Sequence, residues 1–421
     1  MSVIDGDHWR EIYEVLRANK LRTFLTAFGV FWGIFMLMVM LGSGNGLSNG
    51  VQQGFSDGAT NAVFIWSQRT TKPWRGMAPG RQVPFNTADI AALRTQVPEA
   101  EAVCPRSQLG GYMGGNNIVR GNRAGAFSVM GDVPEIARVQ SIRLTSGRFL
   151  NPIDVAERRK VAVLGPRPVE VLFARGEDPI GQLVRINGVE FKVVGTFKPR
   201  RSSDRRDDQA QTLFVPFSTF QSAFNSGDRV GWFALISKPG VPAAVVEEKA
   251  LRVLRERHSI APDDERAIGH FNLEKEYNQV TGLFAGIRAL VWIVGIGTLA
   301  AGVIGVSNIM LVIVRERTNE IGVRRAVGAT PMAVMTQVVF ESLVLTCVAG
   351  YLGLVAGVAL IEGIARVIPT GEETMFLNPE VSLAAALQTL VILVVSGVLA
   401  GLFPARKAVQ SSPVEALRAI I

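Results

Sequence analysis

The sequence predicts an α+β membrane protein: four transmembrane helices, one N-terminal and three C-terminal, with a large mixed α+β domain inserted between the first and second. Three observations predict it. Four apolar stretches long enough to cross a bilayer run over 23–41, 289–314, 333–361 and 381–403, and Glu341 is the only Asp, Glu, Lys or Arg within them. Residues from about 59 to 269 have the mixed composition of a water-soluble module. Across 421 residues, 48% hydrophobic and 19% charged side chains, 43 glycines and a mean hydropathy of +0.26 describe a chain partly in lipid and partly in water.

Residues 1–22 form the first segment, a cytoplasmic amphipathic helix with Trp9, Ile12, Tyr13 and Leu16 at helical spacing. Transmembrane helix 1 follows at 23–44. Arg10, Arg17, Lys20 and Arg22 before it place the N-terminus inside, and it reads as a retained signal-anchor. Gly42, Gly44, Gly46 and Gly50 are poor helix formers in water, so a helix continuing outward needs packing partners.

The outer domain with its stalk ends spans 45–282. Residues 61–67 read as a strand, and 87–96 as a helix that opens on a Thr-x-Asp start signal. Strands follow at 107–115 and 117–120, then a second subdomain at about 130–212. There 161–164 reads as a buried strand and 169–173 as a helix, and Asn187-Gly188 turns a hairpin between 183–186 and 189–194. The run RRSSDRRDDQ at 200–209 is a surface loop. Strands at 213–215 and 233–236 and a helix at 242–258 complete the module, and a helix over 271–283 rises directly out of the second span.

Transmembrane helices 2, 3 and 4 occupy 283–314, 332–362 and 381–403, with a short outer loop at 363–380 and a cytoplasmic tail at 404–421. Gly350, Gly353 and Gly357 mark a face of the third span that another helix can approach closely. Glu341, one to two turns from the cytoplasmic end of that span, is a candidate polar site in the membrane, best matched to an interfacial or interhelical partner.

The connection at 315–331, RERTNEIGVRRAVGATP, carries more Arg than Glu and so belongs on the cytoplasmic face. Glu320 precedes Arg324 by four residues, the favourable order for an ion pair along a helix. Gly328 suits a left-handed helix end, Thr330 an N-cap and Pro331 the first position of the next helix. The spacing predicts a short amphipathic helix, seated by Ile321, Val323 and Val327, that stops and restarts within three residues.

Several function classes are excluded. Net charge is +8, but no block of Lys and Arg interleaved with aromatics suggests nucleic acid, so the excess reads as contact with anionic lipid heads. Of the two cysteines, Cys347 falls in an apolar run, which leaves Cys104 without a disulfide partner. His8, His258 and His270 lack metal-site spacing. No Gly is followed by Lys, so the chain contains no phosphate loop, and no strand-to-helix nucleophile elbow is expected. The spans also lack a polar row that would line a hydrophilic path.

The segment ERTNEIGVRRAVGAT resembles the cytoplasmic coupling segment of MacB-type ABC transporter permeases, the superfamily that includes FtsX, LolC and LolE. The block 144–197, with GRF, VAVLG, DPIGQ and ING before a VVG strand, resembles the periplasmic domain of the same proteins, and PARKAVQSSPVEALR their C-terminal segment. The resemblance implies a multi-pass permease of the bacterial inner membrane with both termini cytoplasmic and the large domain periplasmic. MacB itself carries a nucleotide-binding domain before its first span, so a chain without a phosphate loop implies a separate ABC ATPase subunit that binds ATP and Mg; no cofactor is expected here. Implied partners are a second permease copy, identical or paralogous, and a periplasmic adaptor (membrane fusion protein) with an outer-membrane channel. The function implied is mechanotransmission that drives export from the periplasmic side, with lipoprotein release or regulation of a cell-wall hydrolase as alternatives. By the same resemblance Arg315, Arg317, Glu320, Ile321, Gly322, Val323, Arg324, Arg325, Val327 and Gly328 are candidates for ATPase coupling. In the outer loop at 69–81, Lys72, Trp74, Arg75 and Arg81 are candidates for a periplasmic partner contact.

Overall fold

The structure, a computed structural model, describes residues 20–56, 60–110, 116–140, 142–199, 209–367 and 376–410. Residues 1–19 of the amphipathic helix expected over 1–22, residues 200–208 of the loop expected at 200–209 and the tail beyond 410 lie outside the described residues. The chain divides into two compact units, 1–51 with 282–370 and 374–421, and 52–281 with 371–373.

Among the described residues, the first unit holds four helices long and apolar enough to cross a membrane. These are α1 (Lys20–Ser56) and the three C-terminal helices α7 (Leu273–Glu316), α9 (Pro331–Val367) and α10 (Leu383–Gln410); α1 and α7 run on into the second unit. A fifth, short helix, α8 (Thr318–Ala326), joins α7 to α9. Helix α1 does continue through Gly42 to Gly50, because the partners that a glycine-rich helix needs are present. A Cβ on Gly42 would meet Ile361 Cγ1 at 2.8 Å, and one on Gly46 would meet Phe376 Cζ at 2.9 Å. Asn45 donates to Glu380 O and Asn49 to Asn378 O, each at 3.1 Å, so the segment after α9 is strapped along α1. Helix α10 passes through Pro404 to Gln410, beyond the expected end of the span. The tail therefore begins as helix.

The glycine face of α9 sits where close approach is needed. Gly353 lies against the Phe31 backbone and Gly357 against Met38, both on α1, while Gly350 faces Leu393 of α10. A Cβ on Gly353 would stand 2.4 Å from Phe31 O, a backbone atom that cannot turn aside. We expect Gly353→Val to force α1 off α9 and lower the thermal midpoint of the detergent-solubilised protein. Overpacking of this kind costs about 1–3 kcal/mol. Gly363→Val is the control, since a Cβ there meets nothing within 4 Å.

The second unit is a two-lobed α+β domain. Its strands are β1 (Ala62–Ser67), β2 (Phe85–Asn86), β3 (Ala100–Gln108), β4 (Asn116–Arg120), β5 (Arg123–Asp132), β6 (Ile142–Gly147), β7 (Val161–Leu164), β8 (Leu183–Ile186), β9 (Val189–Pro199), β10 (Thr212–Pro216), β11 (Arg229–Val230), β12 (Trp232–Ser237) and β13 (Ile268–Asn272). Its helices are α2 (Thr87–Gln96), α3 (Pro152–Ala156), α4 (Pro166–Leu172), α5 (Phe217–Ala223) and α6 (Ala243–Arg257), with a 3₁₀ turn at Pro134–Arg138.

In the first lobe, antiparallel β13, β1, β12 and β3 pack against α2 and α6 around Ile65, Phe85, Leu93, Phe233, Leu235 and Leu254. In the second lobe, β7, β9, β8, β4 and β5 follow in order from β10, and parallel pairing of β10 with β5 closes them into a six-stranded ring. Period-2 alternation fills it: Phe127 and Val129, Ala162 and Leu164, Val184 and Ile186, Phe191 and Val193, and Leu213 and Val215 share one core. The intervening Val163 and Phe214, with Met130 next to Val129, join a second cluster with Leu150 and Phe197.

The ring takes in Asn116 to Pro216 and so reaches further in both directions than the subdomain expected at 130–212. Its limits are set by pairings distant in sequence, β4 with β8 and β5 with β10. Strand β3 ends at Gln108, short of the expected 115, and residues 111–115 are not described.

Candidate functional site

The site expected at 315–331 is built as follows. Helix α7 ends at Glu316, where the Thr318 hydroxyl donates to Arg315 O at 2.8 Å. Helix α8 closes at a positive-φ residue, Gly328 at +111°, with the Ala329 N–H bonded to Arg324 O at 3.0 Å. Thr330 Oγ1 then accepts the Ala333 N–H at 3.3 Å and Pro331 opens α9. The stop and restart are those the residues dictate.

Two faces of α8 have different tasks. The inner face is held by arginines. Arg317 Nη1 lies 3.5 Å from Glu341 Oε1 on α9, and its Nε lies 3.8 Å from Glu320 Oε2. Arg324 donates to Gln337 Oε1 on α9 at 3.1 Å, and Arg325 to Val409 O in the last turn of α10 at 2.8 Å. The last contact brings a cation to the negative end of a helix. Gly322 is buried, Ile321 packs half-buried on the core of the unit, and Ile313, Val314, Val334 and Val338 complete a cleft around the Arg317–Glu341 pair. Glu341 thus has an interhelical partner.

The outer face is apolar and uncovered. Val327 is 84% exposed, Met332 70% and Val323 44%. The expectation that Val323 and Val327 seat the helix is therefore corrected: of the three apolar residues only Ile321 is seated. The reason is geometric. At about 100° per residue, two positions from Ile321 is about 200° round the helix, the opposite side, and Val327 lies four beyond Val323 on that same side. Arg315, Glu316, Asn319 and Glu320 are exposed around this face. Sequence reasoning missed Met332 and Gln337; the signal for Met332 is an apolar residue directly after the helix-opening Pro331.

In the second unit, the loop at 69–81 is anchored at its base. Asp264, fully buried, accepts the Thr71 N–H at 2.7 Å, the Thr71 hydroxyl at 2.6 Å and the Lys72 N–H at 3.0 Å. Lys72 pairs with Asp263 at 2.6 Å, and Arg81 donates to His258 O and Ser259 O at 2.8 and 3.0 Å. Lys72 and Arg81 thus serve the domain itself, while Trp74 and Arg75 stay exposed at the tip. The spacing Gly-x-Ser-x-Gly does occur, at 46–50 and 54–58, but Ser48 and Ser56 lie inside α1 and not on a strand-to-helix elbow.

Among the described residues, three of the four buried aspartates of this unit are held below the ordinary carboxylate range, while burial raises the fourth, Asp132. Burial alone would raise the Asp89 carboxyl, but hydrogen bonds from His258, Arg257 and the Asn86 N–H outweigh it and hold it below the ordinary value. Asp154, also fully buried, is held down against burial by Arg148 and the Asn151 N–H, and Asp264 by Thr71 and Lys72. A folded-state pKa below the unfolded one means stability fully present above about pH 4 and lost as pH falls further, through the folded values. We expect the thermal midpoint of the second unit to drop steeply below about pH 4. In Asp89→Asn, already lower at neutral pH, the fall should be shallower.

Four helices long and apolar enough to cross a membrane, with a two-lobed α+β domain inserted between the first and second, define the class as a multi-pass membrane protein. Residues 23–253 match the MacB-like periplasmic core domain and residues 292–413 the FtsX-like permease C-terminal family. The chain belongs to this family of ABC transporter permeases. It is 28% identical over 418 residues to a macrolide export ATP-binding/permease protein MacB 2 of Aeromonas hydrophila subsp. hydrophila, covering 98% of this chain and 61% of that protein. It is 29% identical over 424 residues to the pyoverdine export ATP-binding/permease protein PvdT of Pseudomonas entomophila, covering 99% and 61%. The chain thus spans about three fifths of the length of these relatives. The periplasmic region of MacB from Actinobacillus actinomycetemcomitans covers 55% of this chain and 97% of its own, at 20% identity and a TM-score of 0.43.

Proposed function

We propose that the chain is the permease subunit of an ABC transporter in a bacterial inner membrane, with both termini in the cytoplasm and the two-lobed domain in the periplasm. In this reading an ABC ATPase on a separate chain binds ATP and Mg and docks on α8. Its closure pushes α8, and α7 carries the displacement to the periplasmic domain. Two permease copies work together with a periplasmic adaptor and an outer-membrane channel, and the movement drives export of a substrate collected on the periplasmic side. Arg315, Glu320, Val323, Val327 and Gly328 are the docking residues, while Arg317, Ile321, Gly322, Arg324 and Arg325 hold α8 in place. Trp74 and Arg75 are the adaptor-facing candidates. The observation that carries the proposal is the uncovered face of Val323, Val327 and Met332. Apolar side chains left exposed on a helix of nine residues, Thr318–Ala326, and its flanks call for a partner.

The test is purification of the tagged chain from its native membrane in mild detergent, with a photo-crosslinker replacing Asn319. A crosslinked protein bearing a phosphate loop and ABC signature is the expected result, and an adaptor recovered beside it narrows the cargo route. Absence of any ATPase from both the eluate and the crosslinks overturns the proposal. Recovery of a lipoprotein or a cell-wall hydrolase in place of an adaptor would redirect it toward the corresponding relatives.

A further inference from the structure

We propose that Glu341 is a positioning residue: its pair with Arg317 fastens α8 to α9, so that α8, α9 and α10 move as one body when α8 is displaced. Glu341 lies ten residues into α9 and so about 15 Å along it, whereas the other acidic residue of the helix, Glu362, is near its far end. Its side chain is only 12% exposed, and that of Arg317 22%. A carboxylate so placed is costly unless paired, and both Arg317 and the Gln337 amide, at 3.5 Å each, face it.

Three features make this more than local charge compensation. Arg317 stands at the junction of α7 and α8, so the pair ties that junction to a different helix. The guanidinium lies between two carboxylates, Glu320 at 65% exposure on α8 and Glu341 within the bundle. A partner that engages Glu320 therefore changes what Arg317 has to share. The residue after Glu341 continues the connection: the buried Ser342 hydroxyl donates to Gly397 O on α10 at 3.0 Å, and Arg324 with Gln337 adds a second tie between α8 and α9. The chain of contacts runs from the exposed helix into two spans without passing through α7.

The use of this linkage in transport rests on the function proposed above, but the linkage itself is testable without it. Spin labels at Asn319→Cys and Val348→Cys, both exposed positions, are placed in the full-length protein with Cys347→Ser, in lipid nanodiscs. A single narrow distance distribution is expected for the parent. It should broaden in Glu341→Gln and in Arg317→Gln and narrow again in the exchanged pair Arg317→Glu with Glu341→Arg. Should Glu341→Gln not accumulate in the membrane, Arg317→Gln, altered at the helix junction, gives the same reading. An unchanged distribution in the single variants overturns the proposal. With the ATPase bound, Glu341→Gln should still co-purify but lose most of the permease-dependent ATP turnover, and the exchanged pair should recover it. Broadened distances with no ATPase ever found would uphold the linkage and sink the transport reading.

Discussion

A Val327→Asp substitution is expected to abolish association with the ATPase while leaving the permease folded and inserted. Val327 is 84% exposed, so in the free permease the carboxylate meets water and costs little. In the docked state proposed above the same side chain is covered. Loss of a buried valine forfeits about 1.5 kcal/mol, and an unpaired carboxylate in the contact adds at least as much again. Affinity should therefore fall by about a hundredfold or more. Arg325→Ala is a different lesion, because Arg325 holds Val409 O and not the outer face. It should lower thermal stability first and association only as a consequence. Titration of the purified ATPase against nanodisc-embedded permease separates the two. Equal affinity of wild type and Val327→Asp would remove the outer face of α8 from the account.

Asp132→Ala is expected to produce the largest loss of stability in the second unit. Arg106 and Asp132 are 4% and 0% exposed and meet in two hydrogen bonds, at 2.7 and 3.0 Å, with the guanidinium 5.3 Å over the Trp232 ring. The pair sits where β3 leaves its partner β12 in the first lobe and turns to β5 in the ring. Removing the carboxylate strands a buried guanidinium, a change that costs about 3–5 kcal/mol. Replacing both, with Arg106→Met and Asp132→Leu, should recover most of it, since well-packed apolar pairs often match buried ion pairs. Denaturant titration followed by tryptophan fluorescence reads both; an Asp132→Ala midpoint within error of wild type contradicts the assignment.

What was legible in the sequence were features set within a few residues. The Asn187-Gly188 hairpin has both turn residues at positive φ, 45° and 91°, as its chemistry demands. The helix at 87–96 opens where Asp89 signals it, although the cap is Asn86, whose side chain and Asp89 bond each other's backbone. Gly328, Thr330 and Pro331 stop and restart the helices by local rules alone. Long-range facts were not legible. Closure of the ring depends on parallel pairing of β10 with β5, more than eighty residues apart. Continuation of α1 through its glycines depends on Ile361, Phe376 and Pro379. At the site, apolar spacing makes α8 amphipathic but groups Val323 and Val327 with Ile321 as residues that seat it. Only the packing of Ile321 and the inward reach of Arg317 and Arg325 decide which stripe faces out.

The central claim is that events at α8 move the two-lobed domain, and it is tested most directly by distance measurement between two copies. A spin label at Arg175→Cys, exposed beside the ring, with Cys347→Ser, reports the separation of the domains in nanodiscs that also contain the ATPase. The account predicts one distribution without nucleotide, a shifted one with ATP and a hydrolysis-deficient ATPase, and no shift when the permease carries Val327→Asp. A distribution indifferent to ATP, in complexes shown to contain the ATPase, would contradict it.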